Sequence, residues 1–269
     1  MADQRTRTAA FRAMHEARPG FVLPNPWDVA SARIMRHYGF RALATSSAAH
    51  ANTIGRPDTA IKLDDALEHC RQIVAATDLP VNADFEHGFA DRPEDVARNV
   101  ELALDTGLSG LSIEDKTRTG SEPIYPFEVA VDRVRLAVAA ARGSRTGAVI
   151  TARCENFFAG RKDMDDTIKR LRAYEAAGAD VVYATGLTSI DEVRAIVAAV
   201  RTPVNVMAMK TFTVPELHAA GVRRVSLGPW FHRAALAGLI AAVREVAETG
   251  GLSFIVSAPS GATINKMID

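Results

Sequence analysis

The amino-acid sequence predicts an α/β fold, a (β/α)8 barrel of the TIM type, and three observations carry that expectation. Eight short runs of β-favouring residues recur along the 269 residues. Ala-rich stretches with helical apolar spacing separate them. Four of those stretches end in a glycine, then an apolar residue, then the next strand. Eight strand–helix units in roughly 250 residues is the size of such a barrel, and strands covered on both faces need a near-continuous apolar character. A doubly wound open sheet is the competing arrangement, but no G-x-G-x-x-G follows the first strand.

Strands are expected at Phe21–Pro24, Arg41–Ser46, Pro80–Asp84, Gly110–Glu114, Ala148–Arg153, Asp180–Ala184, Pro203–Met207 and Arg223–Leu227. Val96, Val100, Ala103 and Leu104 recur at helical spacing, as do Ile168, Leu171, Tyr174 and Ala177, with charged residues in between. Gly39, Gly107, Gly178 and Gly221 stand where the chain must leave a helix through a left-handed residue and turn into the next strand. Asp91-Arg-Pro-Glu-Asp95 and Asp163-Met-Asp-Asp166 place carboxylates at helix N-termini, where the helix dipole favours them. The eighth helix should run from about Pro229 to Glu248. After it comes an apolar tail, Leu252-Ser-Phe-Ile-Val256 and onward, that a closed barrel does not need. The expected organisation is one barrel domain over residues 1–269, with residues 249–269 as a C-terminal helical tail that docks on another subunit.

Thirty-two Lys+Arg offset thirty-two Asp+Glu. That balance removes the broad positive field that nucleic-acid or anionic-membrane binding requires. Two cysteines, Cys70 and Cys154, are too few for a disulfide framework or a thiolate zinc site, which suits a cytoplasmic protein. Residues Met1 to Arg18 are charged and polar, unlike a secretory leader, and no apolar run reaches the ~20 residues of a membrane span.

In a barrel of this kind the reactive groups sit at the C-terminal ends of the strands. Here those ends are acidic: Asp84 and Glu86 after the third strand, Glu114 after the fourth, and Glu155 beside Arg153 after the fifth. Residues i and i+2 of an extended segment share a face, so Asp84 and Glu86 are expected to point at one centre, with Glu114 adjacent. Several carboxylates in one cavity repel one another unless a cation neutralises them. Oxygen ligands without a convergent histidine favour a hard ion, Mg²⁺ or Mn²⁺, held partly through water. Arg153 needs a partner among these acids or a bound carboxylate. The Thr45-Ser46-Ser47-Ala48 turn offers small residues and N–H donors to a substrate carboxylate, and Asn205 a donor to a substrate oxygen. His87, next to the acidic pair, and His50 are the histidines placed for a site role. His15, His37, His69, His218 and His232 read as surface or helix-capping residues.

The ordered set Gly55-x-Pro-Asp58, Val81-x-Ala-Asp84-x-Glu86-x-Gly88, Ile113-Glu114-Asp115-Lys116 and Thr151-Ala-Arg153-x-Glu155 resembles the isocitrate lyase/phosphoenolpyruvate mutase superfamily. The likeness runs from Leu23-Pro-Asn-Pro-Trp-Asp28 to Val225-Ser-Leu-Gly228. It implies a Mg²⁺-dependent barrel, usually a homotetramer that exchanges its last helix between subunits, acting on small 2-oxo acids through an enolate. By that resemblance Asp84 holds the metal directly, while Asp58, Glu86 and Glu114 act mainly through its waters. Ser46, Ser47 and Ala48 seat the substrate carboxylate, and Arg153 binds a carboxylate and the developing oxyanion.

Two departures narrow the reading. The isocitrate and methylisocitrate lyases carry a Lys-x-Cys-Gly-His segment after the fourth strand, and this chain has Lys116-Thr-Arg-Thr-Gly-Ser-Glu-Pro-Ile-Tyr125 instead. The Lys-x-Asn/Thr-Ser element of the mutases and phosphonopyruvate hydrolases has no counterpart, and the family's second aspartate is Glu86. The expectation is therefore a Mg²⁺-dependent carbon–carbon lyase or decarboxylase of an oxaloacetate-like 2-oxo dicarboxylate. Arg153, Glu114, Asp58 and Lys116 are its candidate catalytic residues, and Lys116 and Arg118 lie on a lid. The alternatives are P–C bond chemistry on phosphonopyruvate or phosphoenolpyruvate, and a barrel that binds a ligand without catalysis. The expected partners are a small 2-oxo carboxylate and further copies of the chain, as a dimer or tetramer.

Overall fold

A computed structural model describes residues 3–118 and 122–269. The eight strands are β1 (Phe21–Leu23), β2 (Leu43–Ala44), β3 (Val81–Asp84), β4 (Gly110–Glu114), β5 (Val149–Cys154), β6 (Val181–Ala184), β7 (Val204–Met207) and β8 (Arg224–Ser226). All neighbours pair in parallel, in the order β1-β8-β7-β6-β5-β4-β3-β2. The β1/β2 seam has no ladder; the Ala44 amide donates to the Pro24 carbonyl at 2.9 Å. Asn25 reinforces the seam, its side chain donating to the Thr45 carbonyl at 2.8 Å and accepting from the amides of Leu227 and Gly228 at 3.0 and 2.8 Å.

Helices α1 (Gln4–Glu16), α2 (Val29–His37), α3 (Ser47–Thr53), α4 (Leu63–Ala76), α5 (Pro93–Leu104), α6 (Phe127–Gly143), α7 (Met164–Ala176), α8 (Ile190–Ala199), α9 (Val214–Ala219), α10 (Trp230–Thr249) and α11 (Gly261–Ile268) complete the chain, with a 3₁₀ turn at Ser253–Val256. The four predicted glycines all lie at positive φ, between 83° and 96°. Asp163 caps α7, its carboxylate accepting from the Asp166 amide at 2.9 Å. The main apolar core lies between the strands and the surrounding helices.

Helix α1 was not anticipated, because its polar residues mask a single apolar face. That face sets Phe11 and Met14 against Phe21, Leu23, Val149 and Val181, closing the N-terminal mouth of the barrel. Helix α10 behaves differently from the other barrel helices: of its twenty residues only His232 is buried. Leu239, Ile240, Val243 and Val246 face outward, while α11 returns to α2, where Arg33 donates to the Ile268 carbonyl at 2.9 Å. Among the described residues no helix is long and apolar enough to cross a membrane.

Candidate active site

A cavity of about 460 Å³ opens at the C-terminal ends of the strands. Ser46, Ser47, Ala48, Asp58, Asp84, Glu86, Glu114, Lys116, Arg153 and Asn205 all line it. At its centre Arg153 reaches three acids. One Nη lies 3.3 Å from Asp84 Oδ1 and 3.4 Å from Glu114 Oε2, and Nε donates to Glu155. Burial disfavours the guanidinium charge, but Glu155 and Glu114 outweigh it and keep Arg153 firmly ionised. For Glu114 the balance is reversed: burial, with Glu155 and Asp84 adding repulsion against the pull of Arg153, pushes its carboxyl up to about 8. Three carboxylates share one guanidinium here, so the site has room for a further positive charge.

The expectation that Asp84 and Glu86 share one extended face is corrected. The strand ends at Asp84, and Glu86 sits in a turn at φ 48°, which brings it to the cavity by a different route. Its buried carboxylate approaches Arg118, from the loop after β4, and finds no other partner among the described residues. Arg118 also donates to the Ile61 carbonyl at 3.1 Å. Asp58 lies exposed at the cavity wall, and Lys116 opens a loop whose far stem it meets through a bridge to Ile124. Thr119, Gly120 and Ser121 of the expected lid fall outside the described residues.

The donor set is tested against the expected metal by its chemistry. Apart from the Tyr183 phenol, every titratable acceptor lining the cavity is a carboxylate, the Glu86 oxygens lack hydrogen bonds, and no cysteine or histidine lines the cavity among the described residues. That suits a hard divalent ion. No three of the described His, Cys, Asp and Glu side chains form a ready cage, so the fit is to an ion held by few direct ligands and completed by water.

The remaining expectations divide. Ser46 caps α3 by accepting from the Ala49 amide at 3.3 Å, and Ser47 gives its amide and hydroxyl to Asp84 Oδ2 at 3.0 and 2.8 Å. Of the groups expected to seat a substrate carboxylate, the Ser46 O–H, which donates to nothing among the described residues, and the Ala48 amide remain. Asn205 is committed as well, its oxygen accepting from Arg224 at 2.8 Å and its amide donating to Ser226 at 3.1 Å. It supports the cavity floor, with one N–H of its amide used on Ser226 and the other without a partner among the described residues.

His87 does not line the cavity. It is buried behind the turn, its carbonyl accepts from Arg133, and burial depresses its ring to about 4. His50 likewise packs inward, its ring stacked 3.9 Å from that of His69. His15, His69 and His232, expected at the surface or at helix caps, are buried too. Each sits on the inner side of its helix, which composition alone does not show.

Sequence reasoning missed Tyr183 and Arg224, and strand register explains both. Glu114, Arg153, Tyr183, Asn205 and Arg224 are successive lateral partners from β4 to β8. Because barrel strands tilt, one such row descends from the rim at β4 to the base at β8. Arg153 lies over the Tyr183 ring, 5.3 Å from its centroid. Arg224 is fully buried among neutral groups, donating to Asn205, to Thr151 at 2.9 Å and to His15 at 3.3 Å. The alternation Arg224-Val225-Ser226, polar-apolar-polar within a strand, was the available signal.

One face behind the cavity, Asp115 ties its parts together. It accepts from the Glu155 amide at 2.8 Å, the Tyr174 hydroxyl at 2.7 Å and Arg170 at 3.3 Å. Its own carbonyl accepts from the Tyr125 amide at 2.8 Å, and its amide donates to the Arg153 carbonyl at 3.1 Å.

Comparison with known proteins places this arrangement. The family model described as phosphoenolpyruvate phosphomutase matches residues 11–247. An oxaloacetate decarboxylase of Bradyrhizobium diazoefficiens is 31% identical over 209 residues, covering 72% of this chain and 71% of its own length. The 2-methylisocitrate lyase of Escherichia coli K12 is 31% identical over 226 residues, covering 79% and 75%. A crystal structure of a candidate lyase/mutase from Burkholderia cenocepacia J2315 superposes with a TM-score of 0.95 at 45% identity, covering 98% of this chain and 96% of that one. A parallel eight-stranded barrel with an acid-and-arginine cavity at its strand ends, together with these matches, shows that the chain belongs to the phosphoenolpyruvate phosphomutase family and is an enzyme of the isocitrate lyase/PEP mutase type.

Proposed function

We propose that this enzyme cleaves a carbon–carbon bond of a small, oxaloacetate-like 2-oxo dicarboxylate, with decarboxylation as its reaction. The observation that carries this reading is Arg153 held among Asp84, Glu114 and Glu155 in a cavity whose described lining has no cysteine or histidine. A lyase that relies on a thiol acid has nothing to work with there. Decarboxylation asks less: the C3–C4 bond breaks, its electron pair delocalises into an enolate, carbon dioxide leaves, and C3 takes a proton from water.

The chain's own part is to bind and to stabilise charge. Arg153 faces the enolate oxygen as a fixed cation, and the Ala48 amide with the Ser46 hydroxyl orients the C1 carboxylate. Lys116 closes the wall above them. A divalent ion, Mg²⁺ or Mn²⁺, held by Asp84 and through water by Asp58, Glu86 and Glu114, would supply positive charge next to the 2-oxo and carboxylate oxygens.

The test is pyruvate release from oxaloacetate and 3-alkyl oxaloacetates with Mg²⁺, before and after chelation. Metal-dependent pyruvate formation is expected, with Arg153→Gln lowering kcat by about 10²–10³-fold, as loss of a main oxyanion donor does. Silence on the whole panel defeats the decarboxylase reading, and phosphate release from phosphonopyruvate replaces it with P–C chemistry.

The outward apolar stripe of α10 and an apolar groove formed by Trp27, Ile34, Met35, Tyr38, Phe40 and Phe231 support a homo-oligomer, read as a tetramer in which α10 and the 249–269 tail pack on neighbouring copies. The balanced charge and two free cysteines support a cytoplasmic setting.

A further inference from the structure

Four cationic side chains line the cavity besides the Arg118 that approaches Glu86, and they are not equivalent. Arg153 is shared by three carboxylates, and Arg224 lies at the base with each of its three nitrogens bonded to a neutral group. Lys116 and Arg233 have no ion pair among the described residues, and they stand on different elements, Lys116 after β4 and Arg233 in the first turn of α10.

The surroundings of Arg233 are unlike the rest of the cavity. Its guanidinium lies 5.2 Å from the Trp230 ring centroid, an arrangement that steadies a cation without neutralising it. Trp230 is pinned in turn, its indole N–H donating to the Ala208 carbonyl at 2.8 Å. Met207, Met209 and a half-exposed Phe158 continue the same wall. At Gly228 an added Cβ would fall 2.9 Å from the Met207 sulfur, so the glycine lets that thioether pack close under the shelf. Thioethers and aromatic faces offer apolar contact and no hydrogen bonds to carboxylates. The shelf therefore suits a hydrocarbon arm, and the guanidinium suits an anion at the end of it.

Resting on the decarboxylase reading above, we propose that Trp230, Arg233, Met207, Met209 and Phe158 form a distal subsite for a carboxylate carried on a short apolar arm. The preferred substrate is then an oxaloacetate bearing a carboxyalkyl chain at C3. The reacting end stays at Arg153, and the arm runs along the shelf to Arg233.

The experiment compares kcat/KM for oxaloacetate, 3-methyloxaloacetate and 3-(2-carboxyethyl)oxaloacetate in the full-length protein with Mg²⁺, corrected for spontaneous decarboxylation. The carboxyethyl compound is expected to exceed oxaloacetate at least tenfold. Arg233→Gln should lower that ratio tenfold or more, chiefly through KM, and Arg233→Lys should recover part of it. Calorimetric titration with 3-(2-carboxyethyl)malate, which cannot decarboxylate as a β-oxo acid, reads the same subsite without turnover; its affinity should drop about tenfold in Arg233→Gln relative to that for malate. If the wild type turns over nothing but this binding difference is present, the subsite stands and the decarboxylase reading falls. If oxaloacetate is turned over and the ratio is the same in wild type and Arg233→Gln, the subsite is overturned.

Discussion

Asp115 never faces the cavity, yet three donors converge on its carboxylate from two segments of the chain: the Glu155 amide after β5, and Tyr174 and Arg170 from α7. Burial raises its carboxyl, and the hydrogen bonds of Tyr174 and Glu155 partly restore the charged form. An asparagine at this position would present an N–H₂ to at least one of those donors. Asp115→Asn should therefore cost about 2–4 kcal/mol in urea unfolding. It should also lower kcat beyond what the stability loss accounts for at temperatures where the variant is folded, because the Glu155 amide, two residues from Arg153, loses its carboxylate anchor. A variant as stable as wild type would show that Arg170 and Tyr174 find other partners. Neighbouring residues thus have separate duties: Glu114 points into the cavity, Asp115 braces it from behind, and Lys116 begins the loop above it. The strand's alternation makes that division legible from sequence once Glu114 is placed inward. That Asp115 would meet Tyr174 and Arg170 was not legible, since the contact depends on how α7 packs.

At the scale of elements, the repeated junction from helix through glycine to strand sets the depth at which each strand enters the barrel. Gly221 ends the turn after α9 at φ 95°, and an added Cβ would lie 2.8 Å from a methyl of Val197. Gly221→Ala combines the left-handed penalty with that clash and should destabilise by at least about 1–2 kcal/mol, read from the urea midpoint at constant slope. A shift below half a kcal/mol would mean that α8 and α9 move apart to accommodate the methyl. The sequence revealed these junctions because glycine is nearly obligatory there. It revealed α1 less well: Phe11 and Met14 are two apolar residues among polar ones, and their burial becomes visible only with Phe21 and Val149 in place around them.

For the molecule as a whole, buried ionisable groups make stability depend on pH in two opposing ways. Burial depresses His15 and His69 to about 3 and His87 to about 4, from an ordinary histidine value of 6.5. The unfolded chain therefore binds more protons than the native one as pH falls below 6.5, and stability is lost towards acid, by as much as about 4 kcal/mol per pH unit for three histidines. Glu114 works the other way, since a carboxyl raised to about 8 from 4.5 gives native protein that loses stability as pH rises across that interval. Urea titrations at pH 7 and pH 5 should show the acid loss, and His15→Gln should reduce its slope by about one proton. A stability that is flat between those pH values would show that these rings are hydrated in the native state.

By itself the sequence determined the eight-stranded barrel, the acids at its strand ends and the place of Arg153. These follow from local preferences, namely strand periodicity, glycine at helix ends and the alternation of side chains, which neighbouring residues carry without outside help. Only the tertiary structure decided which donors were already spent, that Glu86 enters by a turn, that His87 and His50 face away, and that Arg224 and Arg233 share a cavity with residues far along the chain. Those outcomes depend on strand tilt and on the packing of helices over the barrel, quantities set by contacts between distant segments that no local pattern records.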